Sequence, residues 1–317
     1  MVSTDKLQDF EDALDPVRQT NTAFDMKILG YGEISTVFTI NNGAMAYKRL
    51  PVFSCAKEAE EYGLLYKNYN DSLTRIGIHV PESEAYTVRG KNGIYVAYLA
   101  QRKLDGNAIG NKVIHHHSEE EVMILFRLVI RELLKVWERN AKNPAFQMGL
   151  DAQISNWAVK DYHGKDFKIT TETELLFIDT STPFIRKDRQ ELLNAELLLL
   201  SAPAFIRPLL RKFFLQGILD RYYDFRLVVI DLLANLYKEQ LAHLLPNCLK
   251  VVNNEIQQHK PLLADVCPIT ERELLIYYKE DKFIWKLFMA VRKMDRFIQT
   301  KLMRKRYEFI LPGRIKR

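Results

Sequence analysis

Cysteine is scarce in this chain. Only Cys55, Cys248 and Cys267 occur in 317 residues, and no two stand at CxxC spacing. Neither a zinc site nor a disulfide framework fits so few and so distant thiols, which points to a reducing, cytoplasmic compartment. No apolar run approaches the ~18 residues that a membrane span requires. The best candidate, residues 197–200, reads as a short buried helical segment. The N-terminus carries acids and no apolar stretch, so it does not read as a signal peptide. Internal repeats and low-complexity segments are missing as well. Serine, histidine and aspartate fall in no recognisable hydrolase order, which sets nucleophilic acyl transfer aside.

What is present is a large apolar complement. Hydrophobic residues make up 47% of the chain, enough for a folded core, and the length suits two lobes or one large domain. Net charge is +6, unevenly spread. Residues 286–317 hold eleven cations against Asp295 and Glu308, a net +9, leaving −3 for the rest. This tail reads either as a surface for a polyanion (nucleic acid, an acidic membrane or a phosphorylated partner) or as the solvated face of a terminal helix.

Local signals divide the chain. Ser3 or Thr4 caps a short helix carrying Leu7, Phe10 and Leu14, ended by Pro16. Strands are expected over 24–29, 36–40 and 44–50, the last two joined by the hairpin turn Asn41-Asn42-Gly43, with Pro51 breaking the chain. A helix capped by Ser54 runs to about Asn70. Two further strands, 85–89 and 94–100, flank Gly90-Lys91-Asn92-Gly93. The polar stretch 101–112 reads as a hinge. Beyond it, Ser118 with Glu121 forms a capping box for a helix to about Asn140, and a second hairpin pairs 157–159 with 175–178. Everything from Arg189 onward has helical pattern. Thr270 with Glu273 is another capping box, and 281–306 is helical in composition throughout.

Five short signals then occur in one order. Gly30-Tyr31-Gly32-Glu33-Ile34-Ser35-Thr36-Val37 lies between two strands, where glycines let backbone N–H groups approach phosphate oxygens. Lys48 ends Ala46-Tyr47-Lys48, with the small Ala46 two residues earlier. An acidic helix follows with Glu58, Glu60 and Glu61; the apolar Leu64 and Leu65 at i+3 and i+4 put Glu61 on the inward face, with Glu58 second. Asp151 stands five residues before Asn156, and Asp179 closes the apolar run Leu175-Leu176-Phe177-Ile178. A carboxylate at a strand end is well placed to hold a metal that bridges phosphates.

This ordered set resembles the protein-kinase-like superfamily, nearest to aminoglycoside and choline phosphotransferases, over about residues 24–184. The resemblance implies an α+β, two-lobed protein-kinase-like fold. Residues 1–100 would form a β-rich nucleotide-binding lobe with one helix, and 101–317 a mainly helical catalytic and substrate lobe with the basic tail. It implies ATP and Mg2+ as cofactors and a small-molecule hydroxyl as acceptor. Gly30, Gly32 and Ser35 would approach the phosphates. Val37, Ala46 and the hinge residues Leu99, Ala100 and Gln101 would surround adenine. Lys48 would pair with the phosphates, Glu61 would orient Lys48, Asp151 would be the catalytic base, and Asn156 and Asp179 would bind metal.

The sequence departs from the family pattern at several points. Gly149-Leu150-Asp151 stands where the family writes His-x-Asp. Gln153 replaces a cation that Arg186 or Lys187 would have to supply. Asp179-Thr180-Ser181 replaces D-F-G, and no A-P-E follows, which argues against a peptide substrate. These departures favour the alternative, a pseudokinase-like nucleotide-binding or scaffold module without turnover. His115-His116-His117 reads as a solvated loop rather than a metal site.

Overall fold

The chain starts with the expected capped helix, α1 (Thr4–Ala13), whose N-cap Ser3 accepts from the backbone of Lys6. A two-residue ladder, β1 (Leu14–Asp15) with β2 (Thr20–Asn21), leads into a five-stranded antiparallel sheet. Its strands are β3 (Met26–Tyr31), β4 (Thr36–Ile40), β5 (Met45–Phe53), β6 (Ser83–Arg89) and β7 (Tyr95–Arg102), in the order β3-β4-β5-β7-β6. Helix α2 (Ala56–Arg75) connects β5 to β6. The computed structural model describes residues 3–32 and 35–312; Glu33 and Ile34 of the glycine turn, and Arg314, Lys316 and Arg317 of the basic tail, lie outside them.

The β4–β5 turn has the chemistry its sequence predicts. Asn41 and Asn42 both take φ of 50°, the left-handed conformation that asparagine tolerates and a tight hairpin needs. Pro51 does not end β5. It sits where the pairing register slips between Leu50 and Phe53, an irregularity that removes the need for a ladder donor. Helix α2 also outruns its expected end at Asn70, stopping at Arg75 before Gly77, whose φ is +81°.

Period-two alternation gives the sheet two buried faces. On one, Phe38, Tyr47, Val96 and Tyr98 pack against Leu7 and Phe10 of α1. On the other, Leu50, Phe53, Ala97 and Leu99 pack against Ala59, Tyr62 and Tyr66 of α2.

The rest of the chain is mainly helical, with small sheets. Its elements are α3 (Gly110–Val113), α4 (Glu119–Lys142), β8 (Phe146–Met148), β9 (Trp157–Val159), β10 (Leu175–Phe177), β11 (Ile185–Lys187) and β12 (Gln190–Glu191). Helices α5 (Glu196–Leu199), α6 (Arg207–Phe213), α7 (Leu215–Arg221), α8 (Phe225–Lys238), α9 (Leu245–Gln258) and α10 (Glu271–Phe297) follow. Both expected capping boxes form, at the starts of α4 and α10. Strands β9 and β10 pair as the second hairpin, and β12-β11-β8 make a three-stranded ladder. The largest core joins α4, α8 and α9 to this hairpin and reaches Tyr69 and Leu73 of α2.

The tail departs from expectation. Helix α10 passes into a wide turn over Ile298–Leu302, and the chain then runs extended back onto the sheet. Arg49 explains why. Its guanidinium, on the α1 face of β5, is 2% exposed and grips Glu11, which is 0% exposed, through two bonds of 2.6 and 2.7 Å. Tyr98 donates to the same carboxylate, and Arg49 donates to the Glu308 carbonyl at 2.6 Å. Arg306 donates to the carbonyl of Leu14, and Tyr307, Ile310 and Leu311 are buried. Arg292 is buried too, stacked on the rings of Phe288 and Phe309. Part of the basic tail is therefore interior structure.

Replacing Arg49 by Met would strand a buried carboxylate without its partner. The expected loss is about 3–5 kcal/mol, as for other broken buried pairs, read from urea unfolding. New proteolytic cleavage within 306–312 should accompany it.

Candidate functional site

Strand pairing aligns Val37 of β4, Lys48 of β5 and Leu99 of β7 across the sheet, with Ala46 opposite Gln101 one step along. All five therefore share the α2 face. Ala100 does not. Its side chain points to the α1 face, in the core with Tyr47 and Phe10, so only its backbone borders the site face.

Lys48 reaches across to the helical region. Its ammonium donates to Asp179 Oδ1 at 2.8 Å and to Ser181 Oγ, and Ser181 in turn donates to the same carboxylate oxygen at 2.8 Å. Lys48 keeps 16% of its side chain accessible and Asp179 keeps 35%, so the pair is partly open to solvent. Burial alone would raise the Asp179 pKa; the Lys48 charge and the Lys48 and Ser181 hydrogen bonds outweigh it and hold the carboxyl below its usual range. Gln101 anchors the intervening residue, donating to Thr180 Oγ1 at 3.0 Å.

The glycine turn lies against this pair. Gly32 N donates to the Ser35 carbonyl at 2.8 Å. A Cβ at Gly32 would come within 3.2 Å of Ser35 Oγ and 3.7 Å of Lys48 Cε, so the position has little room for a side chain. Ser35 Oγ is buried and, among the described residues, has no hydrogen-bond partner.

Glu61 is a correction. It lies on the solvent face of α2, 66% exposed, 3.8 Å from Lys57, and does not orient Lys48. Glu58 is exposed as well and accepts from the backbone and hydroxyl of Ser54. The inward face of α2 is built from Tyr62, Tyr66 and Tyr69, while Leu64, part of the pattern that placed Glu61 inward, is 61% exposed. Tyr62 donates its hydroxyl to the Ser181 carbonyl at 2.5 Å, bracing the segment that holds Asp179.

The Asp151 loop is held without the family's histidine. Gly149 stands two residues before Asp151 because nothing larger fits: a Cβ there would meet the Tyr222 carbonyl at 2.9 Å and Phe184 Cβ at 3.1 Å. Tyr69 donates to the Gly149 carbonyl at 2.7 Å, and Asn235 of α8 accepts from Ile154 N at 2.7 Å. Asp151 itself accepts from the backbone of Gln153, closing a local turn. Asn156 is buried; its amide donates to the Asp151 carbonyl at 3.1 Å, and its own carbonyl accepts from Ile178 N, one residue before Asp179. Burial, then the fields of Asp151 and Asp179, push the Tyr69 phenol well above its ordinary range. Tyr62, Tyr69 and Asn235 had no signal in the sequence beyond apolar-face spacing.

Other candidates disperse. Arg186 is tied to Glu191 and Asp220 and stacks on Tyr223, so it is not free to supply a cation; Lys187 is exposed at the end of β11. His115 meets Glu239, whereas His117 meets Tyr162 and Glu121, so the three histidines do not converge. Among the described residues, no cluster of three or more His, Cys, Asp or Glu could hold a metal by itself. Asp151, Asn156 and Asp179 offer two carboxylates and one amide on segments that Asn156 ties together. A hard cation such as Mg2+ uses one or two carboxylates together with substrate phosphates, so the set fits only with nucleotide present.

A family model matches residues 13–296, far more than half of the chain. The chain belongs to the family of unknown function DUF6206. No curated protein matches it. The DUF6206 match takes in Lys48, Asp151, Asn156 and Asp179, and also Arg49, but neither of Arg49's partners, Glu11 and Glu308. Among the described residues, no helix is long and apolar enough to cross a membrane.

The depressed Asp179 pKa has a sign that can be tested. Its stabilising contribution is present above the unfolded-state value of about 3.9 and disappears as pH falls through the lower folded-state value. Asp179→Asn should therefore be less stable than the parent at pH 7, by about 1 kcal/mol or less given the pair's partial exposure. That gap should close on acidification below about pH 4, measured by urea unfolding across pH.

Proposed function

We propose that the protein is an ATP-dependent phosphotransferase acting on a hydroxyl of a small molecule, with a two-lobed kinase-like arrangement of sheet and helical region. The observation that carries this reading is the junction of Lys48, Asp179 and Ser181, residues more than a hundred positions apart. Three features support it: the glycine turn against Lys48 Cε, the buried Ser35 Oγ, and Asn156, which ties the Asp151 carbonyl to the strand end before Asp179.

In this reading Lys48 exchanges its bond to Asp179 for one to phosphate oxygens. Asp179 and the Asn156 amide oxygen would hold the metal, and the glycine turn beside Lys48 would border the phosphates. Bound Mg-ATP supplies the phosphoryl group and most of the charge neutralisation. Asp151 accepts or orients the proton of the acceptor hydroxyl. Val37, Ala46 and the β7 segment Leu99–Gln101 border the base. The acceptor would lie against the helices after Arg189, and no activation segment precedes them.

One observation favours the second reading, a pseudokinase-like module without turnover. Lys48 has no carboxylate from α2, because Tyr62 rather than an acid faces inward there. A permanent Lys48–Asp179 pair would leave the metal without its ligand.

Mg-ATP should raise the melting temperature, by linkage worth about 2.7 kcal/mol at about a hundredfold excess over its dissociation constant. Asp179→Asn should lose the magnesium-dependent part of that rise. Asp151→Asn should keep the rise while ATP consumption, screened across hydroxyl-bearing metabolites, falls to background. A rise with no turnover in the parent protein supports the module; no rise at all rejects nucleotide binding.

A further inference from the structure

The exposed surface running from Phe283 to Lys305 is used by neither the cleft nor the core. Phe283, Ile284, Leu287, Met294 and Phe297 on α10 are 67, 60, 55, 45 and 58% exposed. At 100° per residue, Phe283, Leu287 and Met294 fall along one line of the helix, and Ile284 and Phe297 widen it to either side. Leu302 and Met303, in the turn after the helix, are 69 and 53% exposed and extend the apolar surface.

The charges around this stripe are mostly cationic, with Glu280, one turn before Phe283, the exposed acid beside it. Lys286, Lys293, Lys301, Arg304 and Lys305 are exposed, and none forms an ion pair among the described residues. The acids Asp281, Asp295 and Glu308 each have a partner. Asp281 pairs with Lys238, Asp295 accepts from Gln299, and Glu308 is engaged by Arg49 and Arg306. The outward surface about 283–305 is thus apolar and predominantly cationic.

That combination selects its occupant. A second copy of the chain docked on the same stripe would bring five more cations against the single exposed acid Glu280, which opposes self-association. An anionic lipid surface satisfies both requirements, taking apolar side chains into its acyl boundary and cations at its headgroups. We propose that α10 and the turn after it form an interfacial docking surface for membranes carrying anionic lipids, with the helix lying in the membrane plane.

The full-length protein is tested by co-sedimentation with vesicles of phosphatidylcholine containing about 30% phosphatidylserine, and with phosphatidylcholine alone. Binding is expected only to the anionic vesicles, and to be lost as salt rises from about 0.1 to 0.5 M. Phe283→Ser with Leu287→Ser, and separately Lys286→Glu with Lys293→Glu, should each cut the partition coefficient about tenfold or more. All these positions are exposed, so the variants should melt as the parent does, and a second pair, Met294→Ser with Phe297→Ser, repeats the test should the first destabilise. Absent binding, equal binding to both vesicle types, or unchanged binding by the variants overturns the proposal. So does a dimer that Phe283→Ser disperses, or capture by polyglutamate without capture by vesicles.

Discussion

The structure turns on two adjacent cations that point opposite ways. Lys48 and Arg49 are neighbours on β5, and strand alternation sends them to opposite faces of one sheet. Arg49 gathers Glu11 and the chain at Glu308, residues from the two ends of the sequence. Lys48 gathers Asp179 and Ser181 from the middle. The two bonds differ in environment. The Arg49–Glu11 pair is almost wholly shielded from water, so separating it would leave buried charge uncompensated. The Lys48–Asp179 pair is open on one side, so water, an ion or a phosphate can compete for either member. A single strand thereby fixes the frame on one face and leaves an exchangeable site on the other.

The Asp151 loop is held by close packing and by neutral hydrogen bonds. Gly149 removes the atom that would collide with Tyr222, letting the loop pack directly on the segment before α8. Tyr69 and Asn235 then supply hydrogen bonds from two different helices. Both donors and acceptors are neutral, so the support adds no charge beside Asp151 and Asp179. The field at the cleft is left to the two carboxylates and Lys48.

Much of this was legible before any coordinates. The Asn41-Asn42-Gly43 turn, the two capping boxes and the alternating strands are short-range features, decided by residues within one turn of each other. The α+β order followed from them. The phase of α2 was not legible. Leu64 and Leu65 are equally apolar but face different ways, and the true inward face is a tyrosine stripe whose hydroxyls have polar duties. A helix whose buried face is amphipathic defeats a count of aliphatic residues. The fold-back of the tail was equally hidden. Its composition is basic and helical, yet its course past α10 is set by Arg49, some two hundred and fifty residues away. Periodicity carries no information about a partner at that distance.

The remaining question of function reduces to what Asp179 does when Lys48 leaves it. With 35% of its side chain accessible against 16% for Lys48, the acid is the more reachable member of the pair. An incoming dication would meet the carboxylate first. Lys48 would then lie among protein atoms with no acid from α2 to receive it, since Glu61 faces solvent and Tyr62 is committed to Ser181. A bare ammonium in that position is unfavourable, and only an anion entering with the metal relieves it. On the proposed reading, metal and anion binding would be coupled by the absence of a helix carboxylate, and a metal salt of a polyphosphate should enter where neither component enters alone.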